Sequence, residues 1–331
     1  MYVANPDRYQ KMKYRRLGNS GLVLPVLSFG MWYNFGEHND YETSKAMILK
    51  AFDHGITHFD LANNYGPPLG HAETVMGRIL KDSLIAYRDE IIISTKAGFR
   101  MHDGPYQDGG SRKYLMSSLD QSLNRLGIPY VDIFYHHRYD SQTSLRETMI
   151  ALRDIVLSGK ALYIGLSNYN AEQLKNAHKI LDELNVPYVI TQPSYSMLNR
   201  WLEKDNLLET QSKLGGGVIC YSALQQGLLT NKYITGIPSD SRAKNPDALW
   251  FKEKDVTPEV VEKLKKLDLI ASKRGQTIAQ MALVWTLRDE RMTSTLISTS
   301  KPKQLEENLA ALDNMSFTED ELQKINDILN S

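Results

Sequence analysis

Asp60, Tyr65, Lys96 and His137 are side chains that could act together on a proton. A tyrosine hydroxyl has an ordinary pKa of about 10, which is too high for an efficient proton donor at neutral pH. A nearby lysine ammonium stabilises the phenolate and lowers that pKa, and an aspartate paired with the lysine keeps the lysine charged. A neighbouring histidine can hydrogen-bond a substrate oxygen and orient it. Together the four suit the protonation of an alkoxide as it forms from a carbonyl.

Each of these residues has an ordinary structural explanation when it is taken alone. An aspartate or lysine at the end of a strand commonly forms a structural ion pair, a tyrosine in a loop commonly packs, and a histidine is commonly a satisfied polar side chain. The combination predicts an enzyme with acid–base chemistry, but by itself it does not identify the reaction.

The elements that must position these residues alternate along the chain. Short runs rich in Ile, Val, Phe and Tyr recur, and each is followed by a segment with helical spacing. Most runs are apolar on consecutive residues, as in parallel strands buried on both faces. The predicted strands are residues 26–29, 58–61, 91–95, 131–135, 162–166, 188–191, 218–221 and 295–297. The predicted helices include residues 44–52, 113–126, 144–157, 171–184 and 277–287.

Eight strand–helix units predict an α/β protein with a (β/α)₈ TIM barrel, in one domain that spans residues 1–331. The competing architecture is a doubly wound sheet, which would bind a dinucleotide through G-x-G-x-x-G after its first strand, and the sequence has no such motif. Residues 14–22 predict a hairpin that plugs one end of the barrel. Residues 318–329 predict an added C-terminal helix on the surface.

A barrel of this kind would bring the four candidate residues together. In barrels the reacting groups come from the C-terminal ends of the strands and from the loops that follow. Asp60, Lys96 and His137 lie at the ends of the second, third and fourth predicted strands, and Tyr65 lies in the loop after the second. All four side chains are therefore expected at one mouth.

The composition limits the classes of partner. Hydrophobic residues make up 42% and charged residues 24% of 331 residues, which argues against disorder, and Lys+Arg and Asp+Glu are both 39. Because the charges balance, the sequence has no excess of positive charge of the kind that binds nucleic acid or an anionic membrane. No stretch reaches the length of a membrane span, and the N-terminus is not a signal peptide. We expect a soluble, cytoplasmic protein that binds neither nucleic acid nor membrane.

No metal site is expected. Cys220 is the one cysteine, so it can form neither an internal disulfide nor a thiolate metal site. A metal-dependent barrel hydrolase would need clustered histidine and carboxylate ligands at the strand ends. Only His136 and His137 are neighbours there, and adjacent side chains on a strand point to opposite faces.

Several segments resemble the signatures of the aldo-keto reductases. They are residues 55–66 (GITHFDLANNYG), 93–96 (ISTK) and 123–133 (LNRLGIPYVDI). Residues 63–68 (NNYGPP), 110–115 (GSRKYL), 192–195 (QPSY) and 198–201 (LNRW) resemble the bacterial glyceraldehyde 3-phosphate reductase branch of that family, a near relative of the potassium-channel β subunits. The resemblance covers nearly the whole chain.

The resemblance implies NADPH-dependent hydride transfer to an aldehyde or ketone at the C-terminal mouth. The glycine-rich residues 101–112, with Arg112, Lys113 and Arg138 near the mouth, predict short polar aldehydes as substrates, phosphorylated ones among them.

The resemblance places Asp60, Tyr65, Lys96 and His137 in the catalytic tetrad, with Tyr65 as general acid. His137 is preferred to His136 because it follows Asp132 by five residues, as in the family's motif. The resemblance also implies a homo-oligomer, either a tetramer or a pair of stacked tetramers.

The alternative is a channel-type β subunit or redox sensor that binds NADPH and turns over slowly. The channel subunits carry asparagine at the position of His137, and this difference favours the enzyme.

The resemblance further assigns cofactor contacts along the mouth. On the nicotinamide side they are Trp32, Asp60, Ser167, Asn168, Gln192 and Tyr221. Along the pyrophosphate they are Ser222, Ala223, Leu224 and Gln226, with Lys232 and Arg242 in the loop after the seventh strand. At the adenosine end they are Ser300, Lys301, Gln304, Glu307 and Asn308.

The residues themselves agree with a phosphate site at the adenosine end. Pro302 lies in the first turn of a predicted helix after the last strand, and helix N-termini at this corner of a barrel bind phosphate. Lys301 adds a positive charge that suits a 2′-phosphate, so NADPH is favoured over NADH. Ser298 departs from many relatives, which have glycine there.

Arginines near the predicted mouth suggest how an anionic substrate could be held. The guanidinium fork of Arg112 or Arg138 can bind two phosphate oxygens at once. The alternative for Arg112 is that it caps the helix that follows or faces the solvent.

Overall fold

A short antiparallel hairpin precedes the barrel in the computed structural model, which describes residues 2–239, 241–245 and 251–331. Its strands are β1 (Tyr14–Arg16) and β2 (Val23–Pro25). Leu17 and Leu24 of the hairpin are fully buried and belong to the same apolar cluster as Ile133, from inside the barrel. The predicted hairpin plug is therefore confirmed, and its apolar side chains close the end of the barrel opposite the mouth.

Eight parallel strands form a closed barrel, with the last strand paired to the first. In chain order they are β3 (Leu27–Gly30), β4 (His58–Asp60), β5 (Ile92–Ala97), β6 (Val131–His136), β7 (Ala161–Ser167), β8 (Tyr188–Gln192), β9 (Gly217–Cys220) and β10 (Met292–Ile297). The predicted (β/α)₈ barrel is confirmed, with strand ends displaced by at most three residues.

Helices surround the barrel. They are α1 (Tyr41–Asp53), α2 (His71–Ile79), α3 (Arg112–Leu126), α4 (Leu145–Leu157), α5 (Ala171–Glu183), α6 (Trp201–Lys204), α7 (Leu207–Lys213), α8 (Pro258–Lys273), α9 (Ile278–Thr286), α10 (Pro302–Leu309) and α11 (Glu319–Asn330). A capping box of Thr318 and Glu321 begins α11, which confirms the added C-terminal helix. None of the described helices is long and apolar enough to cross a bilayer.

Alternation along the strands separates two layers of the core. Successive side chains of a strand point to opposite faces, so Phe59 and Phe134 pack outward into the cluster shared with the helices. Asp60, Lys96 and Tyr135 point inward. The strand register places Lys96 beside Tyr135, and this pairing brings polar groups of neighbouring strands to one level near the mouth.

Candidate active site

A fully buried ion pair lies at the C-terminal end of the barrel. Lys96 Nζ donates to Asp60 Oδ2 at 2.5 Å and to the backbone carbonyl of Leu61 at 2.7 Å. The Lys96 side chain is 0% exposed and that of Asp60 is 1% exposed. Burial lowers the pKa of Lys96, and the charge of Asp60 opposes that effect. The aspartate therefore helps to keep the ammonium charged in a position that water does not reach.

Tyr65 lies in the loop after β4, next to this ion pair. Its hydroxyl lies 3.4 Å from Lys96 Nζ. Removal of the hydroxyl from water raises its pKa well above 10.0, and the charges of Asp60 and Tyr221 raise it further. The Tyr65 pKa is therefore raised, and the lowering by Lys96 that the sequence predicted is not observed. Tyr65 stays a protonated phenol at neutral pH, which is the form that can donate a proton.

His137 follows β6 and faces the same space as Tyr65, while His136 points the other way. The rings of His137 and Tyr65 are 6.0 Å apart between centroids, and those of His137 and Phe99 are 4.6 Å apart. Burial and the charge of Lys96 lower the pKa of His137 well below 6.5, so its ring is neutral. His136 Nδ1 lies 2.6 Å from the hydroxyl of Tyr169 in the outer layer.

Four of the residues assigned to the nicotinamide side form one hydrogen-bonded group with a fifth, Asp60. Ser167 Oγ donates to the backbone carbonyl of Gln192 at 2.8 Å, and Gln192 Nε2 donates to Asp60 Oδ1 at 3.1 Å. Asn168 Nδ2 donates to Ser167 Oγ at 3.1 Å, and Asn168 Oδ1 accepts from the Tyr221 hydroxyl at 2.7 Å. The structure therefore joins these residues to the Asp60–Lys96 pair in one polar network.

A second group surrounds Arg242. Its Nη1 donates to Gln226 Oε1 at 2.8 Å, and its guanidinium carbon lies 4.9 Å from the centre of the Tyr33 ring. Gln226 Nε2 in turn lies 3.4 Å from Ser222 Oγ, and the Trp32 and Tyr33 rings are 5.4 Å apart. Arg242 forms no ion pair with any residue that the structure describes.

Several residues around this mouth have strained backbone conformations. Tyr33, Asn168, Ser222 and Gln226 have φ angles of 69°, 56°, 60° and 60°, in the left-handed region that side chains other than glycine seldom adopt. Such conformations cost free energy and cluster at ligand sites. Their concentration after three different barrel strands marks this rim as a place where function constrains the chain.

The remaining residues assigned to the pyrophosphate differ in their surroundings. Ala223 is buried and Leu224 is half-buried in the turn after β9. Lys232 is exposed in a short 3₁₀ turn and contacts none of the other assigned residues through a hydrogen bond or ion pair within the described part of the chain. The structure brings the first two close to the mouth but does not join Lys232 to it.

The residues assigned to the adenosine end lie at the start of α10. Ser300 N and Oγ both donate to Gln304 Oε1 at 3.1 Å, so these two residues are joined. Lys301 is the N-cap residue of α10, and its exposed side chain caps no backbone group. Asn308 is buried and Glu307 is exposed near the end of the helix. An exposed lysine beside free helix N–H groups suits a phosphate.

Arg112 does not lie in the mouth. Its guanidinium pairs with Asp154 on α4, in the outer layer of helices. Ser111, rather than Arg112, caps α3, because its side chain accepts from the backbone N–H of Tyr114. The Arg112 side chain is 47% exposed and already paired, which agrees with the alternative that it faces the solvent, although it does not cap α3.

Arg138 is the arginine that lies beside the candidate catalytic residues. It directly follows His137, and its Nη2 donates to Asp108 Oδ2 at 2.7 Å. Its Nε donates to the carbonyl of Gly98 at 3.0 Å, and its guanidinium carbon lies 5.4 Å from the centre of the Phe99 ring.

Sequence reasoning missed several polar residues inside the barrel below the ion pair. His58, Ser94 and Tyr135 are fully buried there. The period-2 rule could have found two of them, because His58 precedes Asp60 by two residues and Ser94 precedes Lys96 by two. No local pattern distinguishes the third, Tyr135, from an ordinary strand residue.

Comparisons with known proteins agree with this geometry. The model of the Aldo/keto reductase family matches residues 26–330. The chain is 52% identical over 330 residues to L-glyceraldehyde 3-phosphate reductase of Escherichia coli O157:H7 and of strain K12, covering 98% of this chain and 94% of each relative. It is 36% identical over 331 residues to a putative voltage-gated potassium channel subunit beta of Schizosaccharomyces pombe, covering 97% of this chain and 94% of the relative.

Proposed function

Because the chain belongs to the aldo/keto reductase family, we propose that it reduces short polar aldehydes with NADPH, and that L-glyceraldehyde 3-phosphate is a preferred substrate. The observation that carries the proposal is the buried Asp60–Lys96 pair with the Tyr65 hydroxyl 3.4 Å from the ammonium. The 52% identity to reductases of that name supports the choice of substrate.

The residues along the mouth fit a dinucleotide with a 2′-phosphate. The guanidinium of Arg242 forms no ion pair within the described residues and lies among Tyr33 and Gln226, so an anion would complete its surroundings. Lys301 offers a second positive charge at the start of α10. Ser167, Asn168 and Gln192 offer hydrogen bonds for an amide. When bound, NADPH supplies the hydride for the reduction.

The chain's own side chains would handle the proton. Tyr65 donates its phenolic proton to the carbonyl oxygen as negative charge develops there. Lys96 stabilises the resulting phenolate because its ammonium is held close by, and Asp60 keeps that ammonium charged. The neutral ring of His137 donates a hydrogen bond to the same carbonyl oxygen and orients it.

Arg138 would hold the anionic end of the substrate. Its ion pair with Asp108 is partly exposed, with side chains 33% and 39% exposed, so the pair contributes little stability. A phosphate can therefore replace the carboxylate of Asp108 as its partner, with two oxygens on one guanidinium fork. This assignment takes the place of Arg112.

A substrate panel tests the proposal. We expect kcat/KM to be highest for L-glyceraldehyde 3-phosphate with NADPH, compared with its D-enantiomer, methylglyoxal and aromatic aldehydes, and to fall when NADH replaces NADPH. The competing function is that of a slow NADPH-binding subunit, suggested by the relatives named as potassium channel subunits. Single-turnover oxidation of bound NADPH that takes minutes with every aldehyde would favour that alternative. Assembly as a tetramer or octamer and location in the cytoplasm stay predictions.

A further inference from the structure

A buried hydrogen-bonded chain runs from Asp60 down into the barrel. Ser94 Oγ donates to Asp60 Oδ1 at 2.7 Å, and His58 Nε2 lies 2.9 Å from the same Ser94 oxygen. All three side chains are 0% to 1% exposed. The Asp60 carboxylate therefore has partners on each side, Lys96 on Oδ2 and both Ser94 and Gln192 on Oδ1, with the Ser94 contact the shorter of the two.

The chain continues beyond the histidine and ends on the backbone. His58 Nδ1 lies 3.0 Å from Ser28 Oγ, which lies 2.7 Å from Ser294 Oγ. Ser294 Oγ donates to the carbonyl of Pro25 at 2.6 Å. Five short contacts thus connect a carboxylate at one end with a carbonyl at the other, and both ends can only accept.

The protons in this chain do not suffice for all five contacts. Each of the three serine hydroxyls supplies one hydrogen, and a neutral imidazole supplies one more, so four hydrogens serve five contacts. An imidazolium would supply the fifth, but burial and the charge of Lys96 lower the pKa of His58 to about 4. One contact must therefore lack a hydrogen, and the tautomer of His58 decides which one.

A missing hydrogen would cost the most free energy at the contacts next to Asp60. A hydrogen bond to an ionised carboxylate is roughly twice as strong as one between neutral groups. If His58 carries its hydrogen on Nδ1, Ser94 has one hydrogen for two contacts, and the gap falls beside the carboxylate. If the hydrogen is on Nε2, both contacts on the Asp60 side are complete, and the gap falls among Ser28, Ser294 and Pro25.

We propose that His58 is a positioning residue whose Nε2–H fixes the Ser94 hydroxyl as a donor to Asp60 and so aligns the carboxylate with Lys96. The proposal rests on the proposed reductase function only for its effect on turnover. His58 does not reach the substrate or the cofactor. It acts through Ser94 and Asp60, and its loss would let the Ser94 hydroxyl rotate away from the carboxylate.

A misaligned Asp60 has a consequence with a defined sign. The charge of Asp60 raises the pKa of Lys96 against the effect of burial, so weaker alignment lowers that pKa. The ammonium is then lost at a lower pH, and the high-pH decline of kcat moves toward neutrality. The titratable groups that act on Lys96 and Tyr65 are Asp60, Glu73 and Tyr221, with Tyr135 and His137 also facing this space.

Two substitutions of His58 distinguish the roles of its two ring nitrogens. The amide of glutamine reaches about as far as Nε2 and can donate to Ser94, whereas the amide of asparagine reaches only the Nδ1 position beside Ser28. We expect His58→Asn to lower kcat by roughly tenfold or more and to move the high-pH decline down by about half a pH unit, with NADPH affinity unchanged. His58→Gln should recover most of kcat and the original pH profile.

Ser94→Ala should reproduce the effect of His58→Asn, and the double variant should be little worse than either single variant, because the two residues act in series. Ser122→Ala is the matched control, since Ser122 is a fully buried serine on α3 that accepts from Arg125. It should change stability without moving the pH profile. Equal kcat and pH profiles in His58→Asn and His58→Gln would overturn the proposal.

The tautomer can be read without any turnover. Long-range ¹H–¹⁵N spectra of the full chain with ¹⁵N-labelled histidine should show His58, assigned by the signal lost in His58→Gln, as neutral with its hydrogen on Nε2 at pH 7. A hydrogen on Nδ1, or an imidazolium, would overturn the proposal even if no aldehyde were reduced. An inactive wild-type protein with the expected tautomer would instead refute the proposed function and leave the hydrogen-bond assignment supported.

Discussion

Tyr65 Oη lies 3.4 Å from Lys96 Nζ, although the two residues are separated by 31 positions and come from different strand–loop units. The ammonium is fully buried and donates more closely to Asp60 and to the carbonyl of Leu61 than to the phenol. In the proposed mechanism, the Lys96 ammonium is therefore close enough to stabilise the phenolate when Tyr65 donates its proton, and the resting phenol stays protonated.

Loss of the Tyr65 hydroxyl should disable reduction while preserving cofactor binding. Tyr65→Phe keeps the ring but removes the proton donor, so we expect kcat to fall by about 10²–10⁴-fold. Lys96→Met should have a similar effect, and the double variant should be little worse than the poorer single variant, because the two act as one unit. Stopped-flow kinetics and NADPH fluorescence titration measure the two properties. Tyr130→Phe, at the opposite end of the barrel, is the control and should leave kcat unchanged. Near-normal kcat in Tyr65→Phe would remove this residue from the mechanism.

The preference for NADPH should depend on Lys301. Loss of one charge-assisted contact with the 2′-phosphate costs about 1.5–3 kcal/mol, so Lys301→Ala should weaken NADPH binding by roughly tenfold or more and leave NADH binding nearly unchanged. Lys303→Ala removes another exposed lysine, two residues further along the chain in α10, and serves as the control. Calorimetric titration with both cofactors gives the comparison. Equal losses for NADPH in the two variants would show only a general charge effect.

Arg138 should determine the preference for phosphorylated aldehydes. We expect Arg138→Ala to lower kcat/KM for glyceraldehyde 3-phosphate relative to glyceraldehyde by about tenfold or more, because a charge-assisted bidentate contact is lost. Asp108→Asn should raise the same ratio, since it removes the competing carboxylate. Because this ratio compares kcat/KM for two substrates of the same variant, damage that affects both substrates equally does not change it. Arg112→Ala should leave the ratio unchanged because its guanidinium is bound to Asp154. A change in the Arg112 variant alone would contradict the assignment.

Stability should fall as the pH drops below about 6.5. Burial lowers the pKa of both His58 and His136 to about 4, so between these values the unfolded chain binds protons that the folded chain does not. Each such histidine makes the free energy of unfolding fall by about 1.4 kcal/mol per pH unit, which is roughly 3 kcal/mol per histidine over the whole interval. Urea unfolding at several pH values measures this slope. His136→Asn should reduce it by up to one proton, whereas His38→Asn, which changes an exposed histidine, should not. A wild-type slope that is flat from pH 7 to 5 would contradict the neutral buried state.

Local patterns in the sequence were enough to predict the barrel and to predict that its candidate catalytic residues lie together at one mouth. Runs of consecutive apolar residues mark strands buried on both faces, and parallel strands in a closed barrel bring their C-terminal ends to one mouth. Asp60 and Lys96 could be placed together for this reason, because backbone geometry alone fixes which end of a strand a residue occupies. The family resemblance added the assignment of roles.

Only the tertiary structure decided where individual side chains point and what surrounds them. Arg112 turns to α4 because Asp154, distant in the sequence, offers it a carboxylate there. The pKa of Tyr65 rises because of burial and the charges of Asp60 and Tyr221, and this effect depends on the groups packed around the phenol. His58 gains its position from serines at 28 and 94 that three strands bring to one level. Such contacts join residues far apart in the chain, so no periodicity within one segment encodes them.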